Sequence, residues 1–347
     1  MTPTGTHPVR LALIGAGVFA RDAHLPSLAN LQKQFELAAI YSRTSATATA
    51  CAEKWRTLTE RSVEISTDLP ALLARSDIEA VVAVLPIEQL PAAVEQALAA
   101  GKHVLSEKPI APTLEAGQAL LNSYRAHQAK GADLCWMVGE NWRYEEAFRL
   151  AAQTIQSGQL GQPLTAHAAF FSPITPQSKY WETAWRKNWE VPGGWLVDGG
   201  VHHIAALRMI VGDITAVQAQ TWLSQPELAP LDTVSASLGF ANGAKGAYLA
   251  SYAAAAPWPP HIHVVCERGA LRVLRGLVEV TQNGQTTATE CPKFDGVERE
   301  LAAFAQVIRH GGSHLNPPAE ALCDLAVLHA MLQSSQTGAV VLPRCDW

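Results

Sequence analysis

The 347-residue sequence predicts an α/β protein in two parts, a doubly wound parallel sheet followed by an α+β domain on a large, mostly antiparallel sheet. Three observations predict this. Short apolar runs alternate with helix-period segments through the first third, as strands buried on both faces require. A Gly-x-Gly-x-x-Ala turn at residues 15–20 follows the first apolar run. Past residue 140 the pattern becomes successive strands with turn signals such as Asn242-Gly243 and Asn283-Gly284.

In the first part the candidate strands are residues 9–14, 35–41, 80–85, 103–106 and 134–139. Residues 22–31, 46–55, 69–74, 91–100 and 114–129 between them have helical spacing, and Gly101 stands where a C-terminal helix glycine belongs. Repeated strand–helix units imply a parallel sheet. In the second part residues 145–157 read as a helix ended by Gly158, and 165–172 as a strand. A Trp-, Pro- and Gly-rich stretch fills 173–200, strands are expected across 215–291, and helices at 199–211, 297–310 and 320–336. The expected domains are 1–137 and 138–347, with no internal repeat.

Composition narrows the function. The chain is 48% hydrophobic, enough for two cores, and its net charge of −5 gives no polyanion-binding surface, so nucleic acid is not an expected partner. No run reaches the ~18 apolar residues of a membrane span. Residues 1–8 are polar, lack the apolar region of a signal peptide and read as a frayed lead-in. The six cysteines are scattered without a Cys-x-x-Cys, so free, buried thiols in a reducing cytoplasm are expected, with neither disulfide nor zinc.

The glycine turn carries the first chemistry. A strand, Gly-x-Gly-x-x-Ala and a helix form the phosphate-binding turn of a Rossmann domain. Gly15 permits the tight turn, Gly17 lets a pyrophosphate approach the backbone, and Ala20 lets the helix pack on the sheet. Val18 and Phe19 complete the turn, and the helix N-terminus offers N–H groups to the anion. The second strand ends Tyr41-Ser42-Arg43-Thr44 with no carboxylate for a ribose 2′-hydroxyl. Ser42, Arg43 and Thr44 suit a 2′-phosphate, so NADP(H) is expected over NAD(H), which stays possible.

Four further segments carry a family resemblance. They are Ser42-Arg43, the 100–109 segment Ala-Gly-Lys-His-Val-Leu-Ser-Glu-Lys-Pro, Glu140-Asn141-Trp142-Arg143-Tyr144, and the 193–202 segment Gly-Gly-Trp-Leu-Val-Asp-Gly-Gly-Val-His. With the glycine turn, these resemble the Gfo/Idh/MocA family, the glucose-fructose oxidoreductase and inositol dehydrogenase group. The stretch 19–26 looks closest to a yeast-type subgroup of NADP-dependent reductases. The resemblance implies coenzyme contacts at the turn, at Ser42–Thr44, at Pro86 in the loop after the fourth strand, and at Glu107 and Lys108. One departure matters. The family's Asn and His after that proline are replaced here by Ile87 and Leu90, so no ribose contact carries over to them.

The resemblance also implies catalytic roles for Lys108, Asp198 and His202. Hydride transfer at an alcohol carbon needs a group to move the hydroxyl proton, and an imidazole suits this at neutral pH. Asp198 and His202 are four apart, hence on one face of a helix. Asp198 is placed to cap that helix, bind a sugar hydroxyl or orient the imidazole. Gly199 and Gly200 leave room for a substrate or a nicotinamide ring. Lys108 follows a strand at the ligand-binding edge of the sheet, suited to the substrate oxygen. His203 points about 100° away around the helix and is not expected to share the role.

Substrate contacts are expected from Arg143, Tyr144, Lys179, Trp185, Arg186 and Trp195, against the plain alternative that the aromatic residues are packing and that Arg143–Tyr144 starts a helix. His24 reads as a capped surface histidine. His261 and His263 face one side of a strand without a third ligand, so no metal site is expected. The expected function is an NADP(H)-dependent oxidoreductase of carbohydrate metabolism, acting on a sugar, polyol, sugar-derived aldehyde or small carbonyl. The alternatives are a non-catalytic NAD(P)-sensing regulator and a cofactor-dependent glycoside hydrolase. A homodimer or homotetramer through the second sheet, in the cytoplasm, completes the expectation.

Overall fold

Val9–Ile14 forms the first strand (β1), and apart from Arg10 every residue in it is buried. The computed structural model describes residues 7–347, so most of the expected lead-in lies outside the described residues. β1 pairs in parallel with β2 (Phe35–Tyr41) and with β4 (Ala80–Ala83). β3 (Glu64–Ser66), β5 (His103–Glu107) and β6 (Trp136–Gly139) complete a six-stranded parallel sheet of order β3-β2-β1-β4-β5-β6. β3 was not expected. It has three residues, largely exposed, at the sheet edge, and so lacks the apolar run that betrays a central strand.

The helices between them are α1 (Leu25–Asn30), α2 (Ser45–Thr59), α3 (Leu69–Leu73), α4 (Leu90–Ala99) and α5 (Leu114–Ala129). Asp68 caps α3 by accepting from Ala71 N at 2.9 Å, and Thr113 caps α5 by accepting from Ala116 N at 3.2 Å. Gly101, at φ +72°, follows α4 as expected. A wide π-type turn, Ala20–His24, precedes α1.

The chain divides into two compact units, the first running to Gly139 and including Val297–Ala319, the second comprising Glu140–Gly296 and Glu320–Trp347. The second holds α6 (Glu146–Gln156), α7 (Ala184–Lys187) and α8 (Trp195–Val211). Its strands are β7 (Pro163–Phe171), β8 (Ile214–Trp222), β9 (Thr233–Phe240), β10 (Lys245–Ser251), β11 (His261–Cys266), β12 (Gly269–Leu274), β13 (Leu277–Gln282) and β14 (Gln285–Glu290). They form one sheet, β14-β13-β12-β11-β7-β10-β9-β8, antiparallel except for β7–β10. Asn283 and Gly284, both at positive φ, make the two-residue β13–β14 turn. Ala166, Ala168, Phe170, Tyr248, Ile262 and Val264 lie on its buried face, and the next residues along each strand turn the other way.

Helices α9 (Gly296–His310) and α10 (Pro318–Thr337) close the chain. Nearly all of α9 belongs to the first unit, which two consecutive sequence blocks did not anticipate. Its Arg309 binds the Glu79 carboxylate at 2.6 and 2.8 Å and donates to the carbonyls of His7 and Pro8. The cysteine expectation is corrected at one pair, for Cys323 on α10 is bonded to Cys345 near the chain end. Of the other four, Cys51, Cys135 and Cys266 are buried and free as expected.

Two histidines of the first unit make stability pH-dependent. Burial pushes His314 down to about 4, and His103, whose Nδ1 accepts from Cys135 N at 3.0 Å, is also lowered by burial. As pH falls from ~6.5 towards 4 the unfolded chain takes up protons that these rings refuse, so stability falls with pH. His314→Gln is expected to flatten that loss by about 1–2 kcal/mol, after discounting for a partly solvated ring. Denaturant titrations at pH 7 and 4.5 measure it, and equal slopes for variant and parent would refute it.

Candidate active site

In the first unit the strand order reverses between β1 and β4, which places the loop after β1 where α/β sheets bind ligands. Gly15, at φ +106°, lies so close to Val84 O that a Cβ would stand 2.1 Å from it. A Cβ on exposed Gly17 would meet nothing within 4 Å, so this turn leaves open space above its backbone. Gly15 N donates to Tyr41 O at 2.9 Å, which lays the turn beside the end of β2. Val18 and Phe19 are half-buried and Ala20 fully buried, as helix-to-sheet packing needs. Thr47 Oγ1 bonds both Ser42 Oγ at 2.6 Å and Thr44 Oγ1 at 2.8 Å. Arg43 is exposed and engages no ion pair among the described residues. An open glycine cradle beside the end of β2 fits a dinucleotide. Pro86 opens the loop after β4, where Ile87 is buried.

β5 delivers Glu107 and Lys108. Glu107 is buried and accepts from His24 Nε2 at 2.7 Å, while Lys108 beside it is half-buried. His24 is fully enclosed, with Phe19 edge-on at 5.3 Å, and is therefore no surface histidine. The wide turn before α1 carries it inward.

In the second unit α8 begins four residues before the expected start, because Gly193 and Gly194 (φ +84° and +48°) break the chain there. Gly194, not Asp198, is the N-terminal cap residue. Asp198 lies in the first turn, buried, accepting from Arg186 Nε at 2.9 Å. The two glycines after it are packing positions, not ligand space. A Cβ on Gly199 would lie 1.9 Å from Tyr252 Oη, and one on Gly200 would lie 3.0 Å from Leu328. Burial and the neighbouring Asp198 hold the Tyr252 hydroxyl well above the usual range for a phenol.

His202 follows one turn after Asp198. Its Nδ1 is 2.6 Å from Glu140 Oε1, and the Trp142 ring stacks on the imidazole at 5.4 Å and 11°. Its side chain is 19% exposed, against 2% for Glu140. His203 differs. It is buried, stacked on Phe170 at 3.8 Å and bonded to Tyr248 Oη at 2.8 Å.

The expected substrate residues divide. Arg186 lies over the rings of Trp185 at 4.0 Å, Tyr180 at 4.6 Å and Trp195 at 5.8 Å, and Lys179 Nζ lies 5.0 Å from the Tyr180 centroid. This stretch therefore gathers beside Asp198. Arg143 and Tyr144 are turned inward, and Arg143 donates to buried Asp324 at 2.7 Å. His261 and His263 flank His167 on the less buried face of the sheet. No His, Cys, Asp or Glu group able to hold a metal occurs among the described residues. Sequence reasoning missed Glu140, Trp142 and Tyr252. Glu140 stood in a quoted segment, but nothing local tied it to a histidine 62 residues away.

Residues 9–132 match the model of an oxidoreductase family with an NAD-binding Rossmann fold, and residues 148–272 match the GFO/IDH/MocA C-terminal domain. Dehydrogenase FPY6 of Fusarium mangiferae is 33% identical over 94% of this chain and 96% of its own length. The chain belongs to the Gfo/Idh/MocA family of oxidoreductases. An oxidoreductase of this fold from Thermotoga maritima superposes with a TM-score of 0.86 at 30% identity, covering 96% of this chain and 98% of that one. A dTDP-3,4-didehydro-2,6-dideoxy-alpha-D-glucose 3-reductase of Saccharopolyspora spinosa is 27% identical over 90% of this chain and 91% of its own. No described helix is long and apolar enough to cross a membrane.

Proposed function

We propose that this Gfo/Idh/MocA protein is an NADP(H)-dependent oxidoreductase acting on a sugar, polyol, sugar-derived aldehyde or small carbonyl compound. The observation that carries the reading is His202, partly exposed and anchored through Nδ1, one turn after buried Asp198. The sugar reductase relative supports the substrate class. A bound nicotinamide coenzyme supplies the hydride acceptor or donor. In the oxidising direction the substrate O–H bond breaks towards His202 Nε2 as its C–H hydride departs and the carbonyl forms, and reduction runs the same transfers backwards. The Lys108 ammonium binds the substrate oxygen and stabilises charge developing there. Asp198, steadied by Arg186, accepts from a neighbouring hydroxyl. Glycines 15 and 17 with residues 18–20 and 42–44 hold the coenzyme, Arg43 taking the 2′-phosphate.

A panel of sugars, polyols and aldehydes followed by NADPH absorbance tests the activity. Turnover of none of them, with NADPH still bound, would favour a sensing role. In thermal-shift titrations NADP(H) is expected to stabilise the protein at lower concentration than NAD(H), by about tenfold, and Arg43→Ala to erase the difference. Equal titrations in the parent would defeat the coenzyme assignment. The same reading includes a homo-oligomer in which the less buried sheet face, with Ala169, Ala247 and Leu249, is covered by another copy.

A further inference from the structure

We propose that Glu140 is a positioning residue that sets the tautomer and orientation of His202, so that the two act as one proton-transfer pair. This rests on the reading of His202 as the group that moves the hydroxyl proton. Glu140 leaves the end of β6, and its Oε1 also accepts from Trp142 N at 3.2 Å, which pins the carboxylate to the backbone. A carboxylate can only accept, so the proton between Glu140 and His202 belongs to Nδ1. In the neutral ring Nε2 then keeps its lone pair and is the nitrogen able to take a proton. The unrestrained histidine side chain favours the opposite tautomer, with Nε2 protonated and unable to serve as a base.

Orientation is fixed as tightly as protonation. The Trp142 indole lies parallel to the imidazole and is backed by Phe148, stacked at 4.9 Å and 11°. Arg275 lies over the Trp142 ring, 5.0 Å from its centroid. The pair thus has a sealed end and an accessible end, Glu140 at 2% exposure and His202 at 19%. His203 is arranged differently, its Nδ1 meeting the Tyr248 hydroxyl, a group that can donate or accept.

The test uses the full chain labelled with 15N-histidine, comparing parent, Glu140→Ala and Glu140→Gln at alkaline pH, where histidine side chains are neutral. The parent is expected to show His202 protonated at Nδ1. Glu140→Ala is expected to revert to Nε2, and Glu140→Gln, whose amide oxygen still accepts, to retain Nδ1. On the best substrate of the panel Glu140→Ala is expected to lower kcat by about a hundredfold, with KM within about threefold and partial rescue in Glu140→Gln. In a His202→Ala background the same substitution should cost less than about twofold. An unchanged tautomer in Glu140→Ala, or an equal loss with and without His202, would overturn the proposal. Failure of the whole panel would instead count against the oxidoreductase reading, and the nitrogen spectra would still judge the pair.

Discussion

Lys108→Met is expected to lower turnover at least about a hundredfold while coenzyme affinity falls by less than about tenfold. The backbone that carries Lys108 is fixed. β5 pairs with β4 and β6 up to Ser106 and Glu107, and the Glu107 carboxylate is tied to enclosed His24. Methionine keeps the length and the apolar stem, so the substitution removes little but the ammonium. An oxygen gaining negative charge in the transition state then loses a charged donor, an effect of roughly 3–4 kcal/mol for a single oxyanion contact. In the proposed function coenzyme binding draws mainly on the glycine turn and on Ser42–Thr44, which the change leaves alone. Steady-state rates on an active substrate, with NADPH titrations followed by fluorescence, separate the two quantities. A parental rate would remove Lys108 from the chemistry.

What the sequence made legible was local. β1 and β2 were read to the residue, since each is a largely apolar run, interrupted only at Arg10 and Glu36, that stands out from the polar or glycine residues around it. α5 was equally clear, bounded by its Thr113 cap. The glycine turn was legible because phosphate chemistry constrains backbone and side chain together. Illegible features were those decided by distant partners. Four closely spaced glycines flank Trp195–Asp198, and spacing alone does not tell a helix-breaking pair from a packing pair. Tyr252 and Leu328 make Gly199 and Gly200 the packing pair, and both lie far along the chain. Cys323 and Cys345 are 22 residues apart, one on a helix and one beyond it, with no motif to join them. α9 has an ordinary amphipathic pattern, and nothing in that pattern names the sheet it packs on.

The largest loss of stability is expected from Asp324→Ala. Asp324 sits on α10 at 1% exposure, with Oδ1 accepting from Arg208 Nη1 and Oδ2 from Arg143 Nη2, each at 2.7 Å. Both guanidiniums have side chains only 5% exposed. Asp213 and Glu320 also bind Arg208, at 2.8 and 2.9 Å, but both are largely solvated and are weak substitutes. Removing the carboxylate would leave two buried like charges facing one another, which costs about 3–5 kcal/mol for a broken buried pair and lowers Tm by roughly 10 °C in a unit of this size. Arg143→Ala combined with Asp324→Ala should cost less than the sum of the single changes, because each removes the other's unpaired charge. A single-variant loss below about 1 kcal/mol would show the cluster to be solvated. The cluster also bears on the chemistry. Arg208 lies on the helix that carries Asp198 and His202, and Arg143 lies three residues after Glu140. Asp324 therefore ties both halves of the Glu140–His202 pair to α10, and its loss should reduce kcat although it touches neither residue's reacting atoms.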